Sequence, residues 1–228
     1  MFHLQNSNVC SVMAIALLAC YASTATATQQ RPLKVQVVAN EMCCKGCAQK
    51  VAAQLYALPG VTEVRVDVPG RSVSITAKPS PKLTLEGIWQ AVEKGKGGPS
   101  KLVTDQATYI LMRPDSLKPE QRLPAGQYSL QVRSLENKDS AQRIANQLYK
   151  VRGVQTVSVD LVQRTLFVQS TSGAVVSLWN LATAAERAQS EPVSVGGPHG
   201  LLTIKRTAES QAVAAGRPTN PSLQGEVR

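Results

Sequence analysis

The chain has 228 residues, of which 43% are hydrophobic, and a formal net charge of +10. This length allows one or two domains, each with enough apolar residues for a buried core. The basic residues are spread along the chain and lack the concentrated face or motif of nucleic-acid-binding proteins, so we expect no nucleic-acid partner. We interpret the excess charge as a solvated basic surface, which an anionic membrane or an acidic protein would attract.

The N-terminal segment has the features of a secretory signal. Residues 1–30 contain no Lys, Arg, Asp or Glu, and residues 9–22 are nearly continuous in apolar and small side chains. That run is too short to span a bilayer comfortably and is typical of a signal-peptide core. Residues 25–27, Ala-Thr-Ala, offer a cleavage site. We therefore predict that residues 1–27 are a signal peptide and that the mature protein is exported, to a periplasm or the extracellular space.

A lipid anchor is the alternative to soluble export. Residues 17–20, Leu-Leu-Ala-Cys, resemble a bacterial lipobox, in which Cys20 becomes the lipidated first residue. Soluble export is preferred because Leu18 fits that pattern poorly. Either route removes Cys10 and leaves three clustered cysteines in the folded part, with at most Cys20 added near its start. So few cysteines argue against a disulfide scaffold.

A cysteine-rich turn stands between a run with strand character, residues 33–39, and a run with helix character. Residues 42–47 read Met-Cys-Cys-Lys-Gly-Cys. The spacing of Cys44 and Cys47 lets a loop and the first turn of a helix aim both sulfurs at one ion. The ligand is a thiolate, and a helix N-terminus with nearby lysines lowers a cysteine pKa. Thiolate pairs suit Cu(I), with Zn(II) or another thiophilic metal as the alternative.

Met42-x-Cys44-x-x-Cys47 resembles the MxCxxC loop of the heavy-metal-associated domain family. The flanking residues agree with this, since a hydrophobic strand precedes the turn and a helix with Val51 and Leu55 follows it. The resemblance implies an α+β, ferredoxin-like βαββαβ fold over residues 33–112. It also implies that Cys44 and Cys47 hold Cu(I) or another soft metal, with Met42 packed under the loop, and that a metal-donor or acceptor protein is a partner.

Two features depart from the family pattern. Cys43 stands where most members carry a residue without sulfur. It could extend the coordination to three sulfurs, form a disulfide with Cys44 or Cys47, or face outward as a spectator, and the spectator interpretation is preferred. The loop at residues 95–99 is rich in glycine and lacks the aromatic residue that many members place beside the metal.

The chain repeats itself once. Residues 48–56 recur as residues 141–149, and the alignment continues without a gap at an offset of 93 residues. We therefore predict two tandem ferredoxin-like βαββαβ domains, each an antiparallel sheet with two helices on one face. The predicted parts are a metal-binding domain at residues 31–113, a linker at 114–126 without regular structure, a degenerate copy at 127–206 and a disordered tail at 207–228.

The second helices of the two copies carry similar apolar stripes, which we align so that Trp89 matches Trp179. Both tryptophans are predicted to be core residues. The matched stripes are Leu85, Ile88, Trp89 and Val92 in the first copy and Val175, Leu178, Trp179 and Ala182 in the second.

The second copy has lost the thiols. Asn137 and Ser140 stand where Cys44 and Cys47 stand in the first copy, and we expect them to cap a helix as ordinary polar residues. The second domain is thus expected to keep the fold and lose the metal chemistry.

Three function classes remain, in order of preference. The first is transfer or sequestration of a soft metal, the second a thiol–disulfide redox protein, and the third an interaction scaffold. An oxidising compartment would put the Cys44–Cys47 pair at risk of becoming a disulfide, which bound Cu(I) would oppose. No hydrolytic or phosphate-cradling motif is visible, so we expect a protein that is not an enzyme and has no catalytic residues.

Overall fold

The computed structural model describes residues 31–207. The first half contains β1 (Leu33–Ala39), α1 (Lys45–Tyr56), β2 (Val61–Asp67), β3 (Ser72–Ala77), α2 (Leu85–Lys94), β4 (Pro99–Thr104) and β5 (Ala107–Met112). The second half contains β6 (Gln127–Val132), α3 (Lys138–Leu148), β7 (Val154–Asp160), β8 (Thr165–Ser170), α4 (Leu178–Arg187), β9 (Pro192–Gly197) and β10 (Gly200–Arg206). Each half has the predicted βαββαβ order, which confirms the α+β, ferredoxin-like fold class, and each adds a final strand that the sequence did not predict.

Some predictions concern residues outside the described range. These are the signal peptide at residues 1–27, the fates of Cys10 and Cys20, and the tail beyond residue 207. Within residues 31–207, no helix is long and apolar enough to cross a membrane.

Alternating burial explains why the strands form where they do. In β1, Val35, Val37 and Ala39 are buried, and the alternating residues Lys34 and Gln36 are exposed. Successive side chains of a strand point to opposite faces, so this period of two places one apolar face against the helices. The four helices and the sheet share one continuous core.

The ten strands form one antiparallel sheet in the order β2-β3-β1-β4-β5-β10-β9-β6-β8-β7. The two halves join where β5 pairs with β10, a junction that we call the seam. At its centre Thr203 pairs with Ile110, two residues that are 93 positions apart. Each half therefore contributes the same strand in the same register, and an approximate two-fold axis passes through the seam. The domain boundaries inferred from the sequence stay a prediction, since one sheet runs through both halves.

The 93-residue offset holds for every helix, including the second one of each half. α2 begins at Leu85 and α4 begins at Leu178. The alignment of Leu85 with Val175 and of Trp89 with Trp179 was therefore wrong, because Val175 precedes α4 and is 73% exposed. A stripe at i, i+3, i+4 and i+7 fits two registers three residues apart, since a three-residue shift stays on the same helix face. Ala182 occupies the position equivalent to Trp89.

The two tryptophans nevertheless are core residues, as predicted, and they meet across the seam. Trp89 is 4% exposed and Trp179 is 8% exposed. Their ring centroids lie 5.7 Å apart, and those of Tyr109 and Trp179 lie 5.4 Å apart. Aromatic contacts at these distances stabilise a core beyond the area they bury. The halves are thus joined by side-chain packing as well as by strand pairing.

The connection between the halves is more ordered than the sequence predicted. Two single-turn 3₁₀ helices, Pro114–Ser116 and Pro119–Gln121, lie in residues 114–126. Each begins with a proline, whose fixed φ suits a first helical position. Leu117, between the two turns, is buried. The prolines therefore shape this connection as well as preventing longer helices.

Strand directions determine where the two equivalent loops lie. Neighbours are antiparallel from β1 through β4, β5, β10 and β9 to β6, so β1 and β6 run in opposite directions. The loop after β1 carries the cysteines, and the loop after β6 is its equivalent in the second half. The two loops consequently lie at opposite ends of the sheet.

Candidate metal centre

The cysteine loop is fixed at its base by the glycine-rich loop after α2. The backbone N–H of Asn40 donates to the carbonyl of Gly98 at 3.0 Å, and that of Glu41 donates to Gly97 at 2.9 Å. Met42 has no exposed surface and belongs to the core. The buried position of Met42 under the loop, which the resemblance implied, is confirmed.

Close packing explains the glycines of residues 95–98. A Cβ at Gly95 would lie 2.6 Å from Cα of Val51, and one at Gly98 would lie 2.4 Å from Cγ of Glu41. Gly98 also has a φ of +60°, which glycine adopts with little strain. In the sequence this loop was notable only for its glycines and for the aromatic residue that is missing from it. The structure shows that the loop must lie against α1 and the cysteine loop.

Cys44 and Cys47 are placed by the start of α1. Cys44 is the N-cap residue, and its Sγ accepts the backbone N–H of Cys47 at 3.3 Å. Ala48, Val51 and Leu55 are the buried residues of the helix and form the stripe that packs it onto the core. No acidic residue lies in the first turn. The helix N-terminus therefore presents its positive dipole end to the sulfurs.

The structure brings the three predicted site cysteines together. The Sγ atoms of Cys43, Cys44 and Cys47 all lie within 4.8 Å of one another, and we call this group the thiol cluster. All three are free cysteines, and Cys43 and Cys44 are exposed while Cys47 is half-buried. The sulfurs of Cys44 and Cys47 lie 3.0 Å apart and share a hydrogen bond. A disulfide would need about 2.05 Å.

The two hydrogen-bonded thiols differ in acidity. The pKa of Cys44 is lowered, first by the hydrogen bond with the Cys47 side chain and then by the Cys47 backbone N–H. The pKa of Cys47 is raised, first by the same hydrogen bond with Cys44 and then by desolvation. These directions favour the thiolate at Cys44, stabilised by its hydrogen bonds with Cys47.

This difference predicts an order of alkylation in the metal-free, reduced protein. With limiting iodoacetamide near neutral pH, Cys44 should react several times faster than Cys47, because the thiolate is the nucleophile. Peptide mass mapping over a pH series measures both rates. The Cys47→Ala variant is the control, and in it the reaction of Cys44 should shift to higher pH. Faster modification of Cys47 than of Cys44 would contradict the assignment.

A small ion-pair network lies beside the loop. Arg113 approaches Glu41 at 3.6 Å and Glu93 at 3.9 Å, and the three side chains are about half exposed. Exposed pairs of this kind contribute roughly 0–1 kcal/mol each. No sequence pattern indicates this network, since its members lie far apart along the chain.

The equivalent loop of the second half has the same backbone plan without sulfur. Leu135 is buried where Met42 is buried. The Oδ1 of Asn137 accepts the N–H of Ser140 at 2.8 Å, and the N–H of Asn137 donates to Oγ of Ser140 at 3.3 Å. The predicted capping role of these two residues is confirmed.

A family match supports the resemblance drawn from the loop. Residues 37–98 match the heavy-metal-associated domain family, and this segment includes all three cysteines of the thiol cluster. The match confirms the resemblance for the first half. It covers well under half of the chain, and the kinship of the second half with the family stays a prediction. No curated protein matches the chain.

Several solved structures are similar to parts of the chain. The N-terminal domain of PacS from Synechocystis PCC6803 is 25% identical, covering 30% of this chain and 94% of its own, with a TM-score of 0.25. The Atx1–Cu(I)–Ccc2a complex is 22% identical, covering 32% of this chain and 93% of its own, with a TM-score of 0.27. The N-terminal soluble domains of Bacillus subtilis CopA are 18% identical, covering 71% of this chain and 91% of their own, with a TM-score of 0.28. TM-scores this low do not establish a common fold, which here follows from element order and strand pairing.

Proposed function

We propose that the protein binds Cu(I) as cargo through the thiolates of Cys44 and Cys47, and transfers or sequesters it. The observation that carries the proposal is the thiol cluster at the N-terminus of α1, within a segment that matches the heavy-metal-associated domain. Zn(II) or another thiophilic ion is the alternative cargo. The protein acts by binding, and no catalytic step is assigned to it.

The donor set fits a soft ion in its chemistry and in its dimensions. Two sulfurs at about 2.3 Å from one ion lie roughly 3.8 Å apart in tetrahedral geometry, and about 4.6 Å apart where they are its only ligands and stand in line. The sulfurs of Cys44 and Cys47 are now 3.0 Å apart, so uptake requires them to separate by about 0.8–1.6 Å. Cys44 is exposed and Cys47 half-buried, which leaves room for this movement by side-chain rotation.

Access to the cluster supports exchange with another protein. Cys43 and Cys44 are exposed at the end of the sheet, and Gly46 beside them faces open space. We propose a metal-donor or acceptor protein as the partner, and the basic surface would favour an acidic one or an anionic membrane.

The metal content of the variants tests the proposal. Anaerobically loaded wild-type protein should retain about one Cu(I) per chain after gel filtration, because two thiolates chelate one ion. Cys44→Ser and Cys47→Ser should each retain little, since each removes half of the pair. Cys43→Ser keeps both members of the pair and should retain more than either. Wild-type retention in Cys44→Ser would contradict the site.

The proposed location adds a competition between metal and oxidation. We propose export, directed by residues 1–27, with lipidation of Cys20 as the alternative route. In an oxidising compartment the metal-free pair should form a disulfide, whereas bound metal should prevent it because both reactions use the same sulfur electrons.

Mass-tagging of free thiols after export measures this competition. Copper-starved cells should yield fewer reactive cysteines than loaded protein stripped of metal just before tagging. Three free thiols under both conditions would count against export. A permanent disulfide would count against metal binding and favour a redox or scaffold function. The lowered pKa of Cys44 would suit the redox function.

A further inference from the structure

We infer that Cys43 is a third ligand of the metal cargo, so that the loop holds its ion with three sulfurs. The inference rests on the proposed function and assigns a role to a residue whose sequence context favoured a spectator. It also decides between the two modes of that function, since a third bond from the chain itself favours retention over rapid transfer.

The position of the Cys43 sulfur is the first support. Neighbouring side chains in an extended segment point to opposite faces. Cys44 has extended backbone angles, with φ −148° and ψ 163°. The Sγ of Cys43 nevertheless lies within 4.8 Å of the sulfurs of both Cys44 and Cys47. The loop therefore places the Cys43 sulfur beside both of its neighbours, where one ion can contact all three.

The dimensions of the cluster fit three bonds to one ion. An ion about 2.3 Å from each of three sulfurs in a plane holds them about 4.0 Å apart. The present separation is 3.0 Å between Cys44 and Cys47 and no more than 4.8 Å for the pairs that include Cys43, so no pair has to close by more than about 0.8 Å. Cys43 is exposed and is absent from the core cluster, so packing does not oppose its small adjustment.

No competing donor occupies the third position in the part of the chain described. Among residues 31–207 the thiol cluster is the single group of three or more Cys, His, Asp or Glu side chains that could share an ion. The Glu41 carboxylate, two residues before Cys43, is directed to Arg113 at 3.6 Å. Sulfur also matches a soft ion better than a carboxylate does. Within this site, the third ligand is therefore the Cys43 thiolate.

Three protein sulfurs would slow the loss of the ion. Transfer is ligand exchange, in which an entering ligand forms a bond to the metal while a protein sulfur–metal bond breaks and Cu(I) keeps its oxidation state. A two-sulfur site leaves a position open for the entering ligand. With Cys43 bound, that ligand must displace a sulfur tethered next to the ion, and rebinding of that sulfur competes with exchange.

The experiment compares full-length wild type with Cys43→Ser, loaded with Cu(I) anaerobically and then freed of reductant by gel filtration, so that no added thiol or phosphine can bind. X-ray absorption should count three sulfurs in the wild type and two in the variant. Release of Cu(I) to bicinchoninate should be at least about 10-fold faster in the variant, because losing a direct ligand should cost no less than losing a residue that supports one. Thermal unfolding of the metal-free proteins checks that the substitution leaves the fold intact.

The outcomes separate this inference from the proposed function. Two sulfurs in the wild type, or equal sulfur numbers and release rates in the two proteins, would overturn the role of Cys43 and leave the Cys44–Cys47 site standing. Equal loss of Cu(I) binding in Cys43→Ser, Cys44→Ser and Cys47→Ser would support the role of Cys43 and show that binding needs all three sulfurs. Absence of Cu(I) binding by the wild type would overturn the proposed function and the inference together.

Discussion

Trp179→Ala is expected to lower the free energy of unfolding by about 3–5 kcal/mol, the usual cost of truncating a large buried aromatic side chain. Trp179 belongs to the second half, but its ring lies against Trp89 and Tyr109 of the first half. The substitution would therefore open a cavity at the seam itself. Urea unfolding followed by far-UV circular dichroism measures the change.

Val175→Ala is the matched control for this prediction. Val175 lies two residues before the N-cap of α4 and is mostly exposed, so its truncation should change stability by no more than about 0.5 kcal/mol. Equal effects of the two substitutions would contradict the assignment of Trp179 to the contact between the halves. A transition that splits into two steps in Trp179→Ala would show that the seam couples their unfolding.

Asn137→Cys combined with Ser140→Cys is expected to raise the Cu(I) content from about one to about two ions per chain. Asn137 caps α3 as Cys44 caps α1, and Ser140 occupies the position of Cys47. Leu135 supports this loop from the core as Met42 supports the first. Two thiolates placed on this frame should bind a soft ion as the natural pair does. Metal analysis after anaerobic gel filtration measures the content.

The double substitution Asn137→Cys/Ser140→Cys, which we call the graft, has a control in a chain that lacks Cys44 and Cys47. Introducing Asn137→Cys and Ser140→Cys into Cys44→Ser/Cys47→Ser protein should restore about one ion, now at the opposite end of the sheet. Ser140→Cys alone should restore little. A folded double graft that binds no additional Cu(I) would show that loss of the thiols is not what silenced the second loop.

Much of the fold follows from patterns that the sequence carries locally. The bounds of β1 match the predicted strand at residues 33–39, because alternating apolar and polar residues specify one buried face. The repeat at an offset of 93 residues predicted a second copy of the same elements, and the structure has them. The polar caps at Asn137 and Ser140 could be predicted because capping depends on residues three positions apart.

Features that depend on distant contacts could not be predicted in this way. The pairing of β5 with β10 joins residues about 93 positions apart, and nothing in either strand alone specifies its neighbour. The predicted alignment of α4 with α2 was wrong because a helical stripe of apolar residues fits equally well after a three-residue shift. The direction of the Cys43 side chain depends on the path of an irregular loop, for which the sequence has no periodic signal.

Competition between the protein and a Cu(I) chelator of known affinity tests the assignment of the metal centre without relying on partners or location. With wild-type protein and Cys44→Ser/Cys47→Ser protein held anaerobic and reduced, we predict that the double variant loses at least about 100-fold in affinity, since direct ligands matter more than their supporting residues. Equal affinity of the two proteins would show that Cu(I) binds elsewhere and would contradict the assignment of the thiol cluster as the metal centre.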